Sequence, residues 1–275
     1  MAGLFKPFAY EPAKHLYKLM ARPEYRNLAL LEARLRRVPR YTECQATVHG
    51  WRLKIPDAAS FLFSYDEIFV KRIYDFPAST ASPKILDLGA NVGVSVLFFK
   101  WLYPQAQIVA FEADPQIYAY LTRNIHGNGY QDVQLINRAA WDENTELTFA
   151  TEGADGGHLA HTAGAPAAVI QVPAVDMAEH LRTHSYDFIK MDIEGAEERV
   201  LPACLPYLDQ TTFLFVEYHS HAHRKQWLSE LMVLLSEAGF RIHLHSVVCS
   251  PSPFTKRVIH AGFDLQLNVF AWRER

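Results

Sequence analysis

The sequence predicts an α/β protein: a doubly wound, mostly parallel sheet with helices on both faces, preceded by a helical N-terminal extension. Three observations carry this. Apolar runs of strand length alternate with helix-length segments from Lys84 onward, the order expected of parallel strands joined by crossover helices. The first of these strands runs directly into a turn of small residues, Gly89-Ala90-Asn91-Val92-Gly93. The last two strands are separated only by a polar loop, so they can pair antiparallel without a crossover helix.

The elements follow in order. Leu28 to Arg37 carries apolar residues at helical spacing, and Trp51 to Ile55 alternates as a short strand. Ser64-Tyr65-Asp66-Glu67 has the form of a capping box and predicts a helix through Tyr74. The stretch Pro77-Ala78-Ser79-Thr80-Ala81-Ser82-Pro83 reads as a connector, dividing the chain into a region 1–76 and a main domain 77–275. Strands are then predicted over Lys84–Leu88, Gln107–Phe111, Val133–Asn137, Tyr186–Met191 and Thr212–Val216. Helices are predicted from Val94 to Tyr103, from Asp114-Pro115 onward, from about Ala196 with Pro202 bending or ending it, and from Arg224 to Ala238 with Gly239 as the stop. Between the third and fourth strands, 146–151 and 169–172 read as less regular. Arg241–Val248 and Leu265–Trp272 form the final pair.

Bulk properties narrow the functional classes. A net charge of -3 leaves no large basic surface for phosphates, so no nucleic-acid partner is expected. The three cysteines, Cys44, Cys204 and Cys249, are widely spaced and odd in number, which suggests neither a disulfide framework nor a zinc knuckle. Met1 to Tyr10 lacks a basic run followed by an apolar stretch, and nowhere is there an apolar run of membrane-spanning length. A cytoplasmic protein with no membrane partner is therefore expected. The N-terminal region, with Phe5, Phe8, Tyr10, Tyr17 and Trp51, is expected to cover an acceptor, to make a homo-oligomer contact, or to form a packing layer.

In open α/β sheets ligands bind beyond the carboxyl ends of the strands. The first strand ends Asp87-Leu88-Gly89-Ala90-Asn91-Val92-Gly93. This departs from the G-x-G-x-x-G of dinucleotide binders, and its acid suits a positive group, the ammonium or sulfonium of S-adenosylmethionine, better than a pyrophosphate. The second strand ends Phe111-Glu112-Ala113-Asp114-Pro115, placing Glu112 to accept from ribose hydroxyls, with Asp114 as a helix cap. The third ends Asn137-Arg138-Ala139-Ala140, whose alanines are small enough to border an adenine ring; Arg138 and Ala139 join the expected cofactor contacts. The fourth ends Met191-Asp192-Ile193-Glu194-Gly195-Ala196-Glu197, where Asp192 should enter the cleft. The fifth ends Glu217-Tyr218-His219-Ser220-His221-Ala222-His223. Alternation would align Glu217 with the three histidines as in a metal site, but Ser220 is expected to cap the next helix, leaving His221 and His223 in a solvated turn. No obligatory metal is expected.

Taken together, Asp87 to Gly93, Phe111-Glu112-Ala113, Val175-Asp176, Lys190 to Glu197 and Val216 to His219 resemble the FkbM-type family of methyltransferases. The resemblance implies a class I methyltransferase (Rossmann-like) fold, whose seventh strand inserts antiparallel between the fifth and sixth. It also implies S-adenosylmethionine as cofactor, with contacts at Asp87, Gly89, Asn91, Gly93 and Glu112; Ala90 and Ala113 belong to the same segments. Ala113 departs from the proline that often follows the glutamate. The implied reaction is methylation of a hydroxyl on a small metabolite, natural product or sugar. The site is expected to hold His219 as base at its ordinary pKa of about 6.5, with Asp192 orienting it or holding the cofactor ammonium, and Glu217 beside them. Two other classes are weighed against this: a nicotinamide-dependent oxidoreductase, and a nucleoside-binding protein without chemistry.

Overall fold

The computed structural model describes residues 17–151, 158–159, 168–260 and 262–274. It divides into two compact units, one up to Asp75 and one from Phe76 to Arg275. No helix among the described residues is long and apolar enough to cross a membrane.

The N-terminal unit combines helices with a hairpin. Helix α1, Pro23–Leu35, opens on a proline whose missing N–H costs nothing in the first turn, and buries Leu28, Leu31 and Leu35 at helical spacing. Strands β1 (Cys44–Val48) and β2 (Trp51–Ile55) pair antiparallel. Helix α2 spans Ala58–Tyr65 and runs on into a π-helical turn, Asp66–Val70. Its cap is Asp57, which accepts from the Ser60 N–H at 2.9 Å, the Tyr41 N–H at 2.6 Å and Arg40 Nε at 2.8 Å. Ser64 therefore lies inside a helix whose cap stands seven residues earlier than the capping-box reading places it. Trp51 is buried, and its ring packs 5.4 Å from His49, which in turn stacks 4.9 Å from Phe69. Tyr17 is exposed; Phe5, Phe8 and Tyr10 lie outside the described residues.

The second unit is built on a seven-stranded sheet in the order β12-β13-β11-β10-β3-β4-β5. Its strands are β3 (Lys84–Leu88), β4 (Gln107–Phe111), β5 (Gln134–Ile136), β10 (Phe188–Met191), β11 (Phe213–His221), β12 (Arg241–Val248) and β13 (Phe263–Trp272). β5, β4, β3, β10 and β11 run parallel, and β13 lies antiparallel between β11 and β12. That is the topology the C-terminal strand pair and the family resemblance predict. The crossover helices are α3 (Val94–Leu102), α4 (Pro115–His126), α6 (Glu197–Cys204) and α7 (Leu228–Glu237). Asp114 caps α4, accepting from the N–H groups of Gln116 and Ile117, and Gly239 follows α7 with φ +80.

In the second unit, two segments take a different secondary structure from the one the sequence predicts. The stretch read as irregular forms a second, four-stranded sheet ordered β6-β9-β7-β8, of β6 (Ala139–Trp141), β7 (Thr145–Thr151), β8 (His158–Leu159) and β9 (Ala168–Asp176). Helix α5, Met177–Thr183, then leads back to β10. The fifth strand of the main sheet does not stop at Val216 but continues to His221, because β13 pairs with it in register to Ser220 and Leu265 and, past a bulge, at His221 and Phe263. Ser220 is therefore a buried strand residue rather than a helix cap, and its hydroxyl donates to Asp264 Oδ1 at 2.7 Å.

Candidate active site

The switch point falls between β3 and β10, whose carboxyl ends are joined tightly. Asp192 N–H donates to Leu88 O at 3.1 Å. Gly89 has φ +84, and a Cβ there would lie 1.8 Å from the Asp192 carbonyl oxygen, so only glycine lets the two strand ends meet. The turn also leans on β4: the N–H groups of Gly89 and Ala90 both donate to Phe111 O, at 3.0 and 2.9 Å. Asn91 takes up the left-handed conformation with φ +50, and its side-chain oxygen accepts from the Val92 N–H. Gly93 serves packing, since a Cβ there would fall 2.9 Å from Ile125 Cδ1 on α4.

Beyond these ends opens a cleft bordered by Gly89, Asn91, Glu112, Arg138, Asp192 and Glu194. Its apolar wall includes Phe111, Ala113, Ile117, Ala139 and Trp141. The second sheet thus supplies one side through β6. Trp141 is fixed from behind by the Arg199 guanidinium, 4.8 Å from its ring, which also pairs with Asp142 at 2.7 Å.

Glu112 is anchored by two backbone donors: Asn91 N–H to Oε2 and Asp114 N–H to Oε1, each at 2.9 Å. Each carboxylate oxygen keeps a second lone pair for a hydroxyl. Burial pushes the Glu112 carboxyl up to about 7, against the pull of those two N–H groups. Asn137, given no role from sequence, clamps the same strand end by donating to Glu112 O and Ala113 O at 2.9 and 3.1 Å.

Among the residues assigned to the cofactor from sequence, Gly89, Asn91, Glu112, Ala113, Arg138, Ala139 and Asp192 border the cleft. Asp87, Ala90 and Gly93 stand behind it. Asp87 is fully buried, accepts from Ser95 Oγ at 2.5 Å and pairs with Lys190 Nζ at 3.2 Å. Lys190, also without an assigned role, is buried between Asp87 and Asp192, 3.3 Å from the latter, and donates to Gly89 O at 2.7 Å. Burial alone would lower its pKa, but the charges of Asp87 and Asp192 raise it. One cation therefore ties the loop after β3 to the end of β10. Its signal in the sequence is a lysine within an apolar strand, two residues before an aspartate.

At the far side of Asp192 the catalytic candidates converge. Glu194 has φ +56 and Gly195 φ +93, a turn that brings the Glu194 carboxylate back toward β11. His219 is buried, with Nδ1 3.2 Å from Glu197 Oε1 and Nε2 3.5 Å from Glu194 Oε2 and 3.9 Å from Glu217 Oε1. Glu197 Oε1 also accepts from the Ile193 N–H at 2.9 Å, so this acid is bound within the site as well as standing at a helix start. Burial would lower the His219 pKa, but the charges of Glu194, Glu197 and Glu217 lift it well above the ordinary imidazole range. Burial and the neighbouring acids raise Glu194 well above the carboxylate range and Glu217 to about 8. His219, expected to have the ordinary imidazole pKa, thus stands among acids that shift it upward. His221 lies in the strand, its ring 4.8 Å from Phe263, rather than in a turn.

Residues 87–242, more than half of the 275-residue chain, match the model of the methyltransferase FkbM domain. The chain is 46% identical over 63 residues to methyltransferase sdnD of Sordaria araneosa, covering 23% of this chain and 24% of that protein. It is 28% identical over 155 residues to the 2-O-methyltransferase NoeI of Sinorhizobium fredii (strain NBRC 101917 / NGR234), covering 50% of this chain and 63% of that protein. The matches thus span less than two thirds of either relative. The crystal structure of methyltransferase FkbM from Methylobacillus flagellatus KT superposes with a TM-score of 0.47 at 14% identity, covering 93% of this chain and 60% of that one. On the family match, the chain belongs to the FkbM-type methyltransferases.

Proposed function

We propose that the protein transfers the methyl group of S-adenosylmethionine to a hydroxyl oxygen of a small metabolite, natural product or sugar. The observation that carries this reading is Glu112, held at the end of β4 by two backbone N–H groups with acceptor capacity left on both oxygens. A ribose diol is the natural donor pair for it. Family membership supports the reaction class, and the 2-O-methyltransferase relative supports oxygen as the accepting atom. A nicotinamide reading lacks the G-x-G-x-x-G turn after β3.

When bound, the cofactor supplies an activated methyl on a sulfonium; the acceptor oxygen forms the new C–O bond as the C–S bond breaks, and the hydroxyl proton leaves. The residues have the remaining tasks. Phe111, Ala113, Ile117 and Ala139 offer an apolar wall for the adenine, with Arg138 at its edge. Asp192, neutralised on one side by Lys190, takes the cofactor's ammonium or the acceptor. Alignment of the oxygen behind the methyl supplies the larger part of the rate, on the order of 7–11 kcal/mol at best. A base adds about 10²–10⁴-fold. Glu217, at about 8, is matched to receive the proton near neutral pH, with His219 Nε2 3.9 Å away. The N-terminal unit is assigned to acceptor choice or subunit assembly.

The test is incubation with methyl-labelled S-adenosylmethionine and a panel of sugars, glycans and hydroxylated metabolites, with products read by mass spectrometry and NMR. A labelled O–CH₃ product is expected, and His219→Ala should lower turnover far more than affinity for S-adenosylhomocysteine. Label appearing on nitrogen or carbon would contradict the O-methyl reading, and turnover untouched in His219→Ala would remove His219 from the site chemistry.

A further inference from the structure

Methyl transfer does not by itself call for four acids around one imidazole. Glu197 Oε1, 3.2 Å from Nδ1, fixes that nitrogen of His219 as the donor. In the neutral ring, Nε2 then carries the lone pair and faces Glu194 and Glu217 at 3.5 and 3.9 Å. Negative oxygens around a lone pair repel unless positive charge stands among them. A proton on Nε2 would draw an acid to about 2.7–2.9 Å, closer than either oxygen lies. A metal ion instead keeps its ligand atoms apart: bonds of about 2.1 Å separate neighbouring ligands by roughly 3–4 Å. One oxygen each of Asp192 and Glu194 and one nitrogen of His219 lie within 4.8 Å of one another. The carboxylate–histidine pair behind them is the support that metal-ligating imidazoles ordinarily have.

A separate observation points to the same place. Asn268 stands opposite Glu217 across the β11–β13 pair, so the two side chains leave the same face of the sheet. Asn268 is 1% exposed, and its Oδ1 has no hydrogen-bond partner among the described residues. A buried amide oxygen left this way costs about 1–3 kcal/mol, and water on an adjacent ion would donate to it.

We propose that Asp192, Glu194 and His219 bind one divalent cation, through a carboxylate oxygen from each acid and Nε2, with Glu217 at its side. One imidazole among carboxylates suits manganese or zinc better than magnesium, which prefers an all-oxygen octahedron. Asp192 and Glu194 border the cleft, so the ion enters from there. The proposal stands apart from the acceptor's identity, and its test reads the ion rather than turnover.

Protein stripped with chelator is titrated with Mn²⁺, and free ion is followed by electron paramagnetic resonance. One ion per chain is expected, and binding should be at least tenfold weaker in Glu194→Gln and in His219→Gln. Circular dichroism and the thermal midpoint check that each variant is folded, and Glu198→Gln, at a neighbouring half-buried acid, should bind as wild type does. Failure of wild-type protein to bind Mn²⁺ below about 1 mM would overturn the proposal. So would equal affinity in wild type and folded Glu194→Gln. Titration with S-adenosylhomocysteine on the same stripped protein separates a failed ion site from a failed cofactor site.

Discussion

Replacing Gly89 by alanine probes the junction on which the cleft depends. The new Cβ would lie 1.8 Å from the Asp192 carbonyl oxygen, whereas a carbon–oxygen contact needs about 3.3 Å. The obstacle is backbone, so no rotamer relieves it, and the ends of β3 and β10 must part by about 1.5 Å. The left-handed conformation at φ +84 adds about 1–2 kcal/mol for a residue with a Cβ. Parting the strands also strains the Asp192 N–H to Leu88 O bond and the Lys190 bond to Gly89 O, each worth about 0.5–1.5 kcal/mol. The sum is about 2–5 kcal/mol, or a thermal midpoint lower by on the order of 5–15 °C for a unit of this size. Affinity for S-adenosylhomocysteine, read by calorimetry, should fall at least tenfold because Asn91 and Asp192 border the same cleft. Gly129→Ala is the control: it shares a positive φ of +94 but has nothing within 4 Å, so it isolates the conformational term. A Gly89→Ala protein with a midpoint within about 2 °C of wild type, and affinity within about twofold, would refute the reasoning.

Two further predictions concern buried charge. Lys190→Met should destabilise the protein by about 3–5 kcal/mol, since Asp87 would be left fully buried without its cation; adding Asp87→Leu should recover much of that, and a strictly additive double variant in thermal melts would contradict the pairing. Glu112 at about 7 and Glu217 at about 8 hold their protons more tightly folded than unfolded because burial disfavours the charged form. Their stabilisation is complete below the unfolded value of about 4.3 and is lost as pH rises through 7–8. His219, raised above its unfolded value, acts in the same direction. The thermal midpoint of the ligand-free protein should therefore decline between pH 5 and 8, less steeply in Glu112→Gln; a midpoint that rises over this range would oppose the assignment.

What the sequence made legible was what neighbours in the chain decide. Asp114 as a cap, Gly239 as a stop and the antiparallel final strands follow from local chemistry, and all three are present. Ser220 and Ser64 show where local rules yield. The pairing of β11 with β13, more than forty residues away in the chain, carries Ser220 into a strand, and the better-bonded Asp57 starts the helix before Ser64 is reached. The second sheet was not legible because its strands come from separated pieces, joined by pairings such as Thr145 with Ala174. In the site, the order of acids at successive strand ends led to Glu112, Asp192, Glu217 and His219. The part played by Lys190 was hidden because its partner Asp87 lies about a hundred residues earlier. The state of His219 was hidden for the same reason: an ordinary imidazole pKa assumes no neighbours, and three carboxylates surround it.

The central claim is that the cleft beyond β3, β4 and β10 holds S-adenosylmethionine by its ribose. The most direct measurement is calorimetric titration of wild-type and Glu112→Ala protein with S-adenosylhomocysteine, and of wild type with NAD. One S-adenosylhomocysteine per chain is expected, with no measurable NAD binding, and affinity weakened on the order of 10²-fold in Glu112→Ala through loss of two hydroxyl–carboxylate hydrogen bonds. NAD bound in preference to S-adenosylhomocysteine, or unchanged S-adenosylhomocysteine affinity in folded Glu112→Ala, would contradict it.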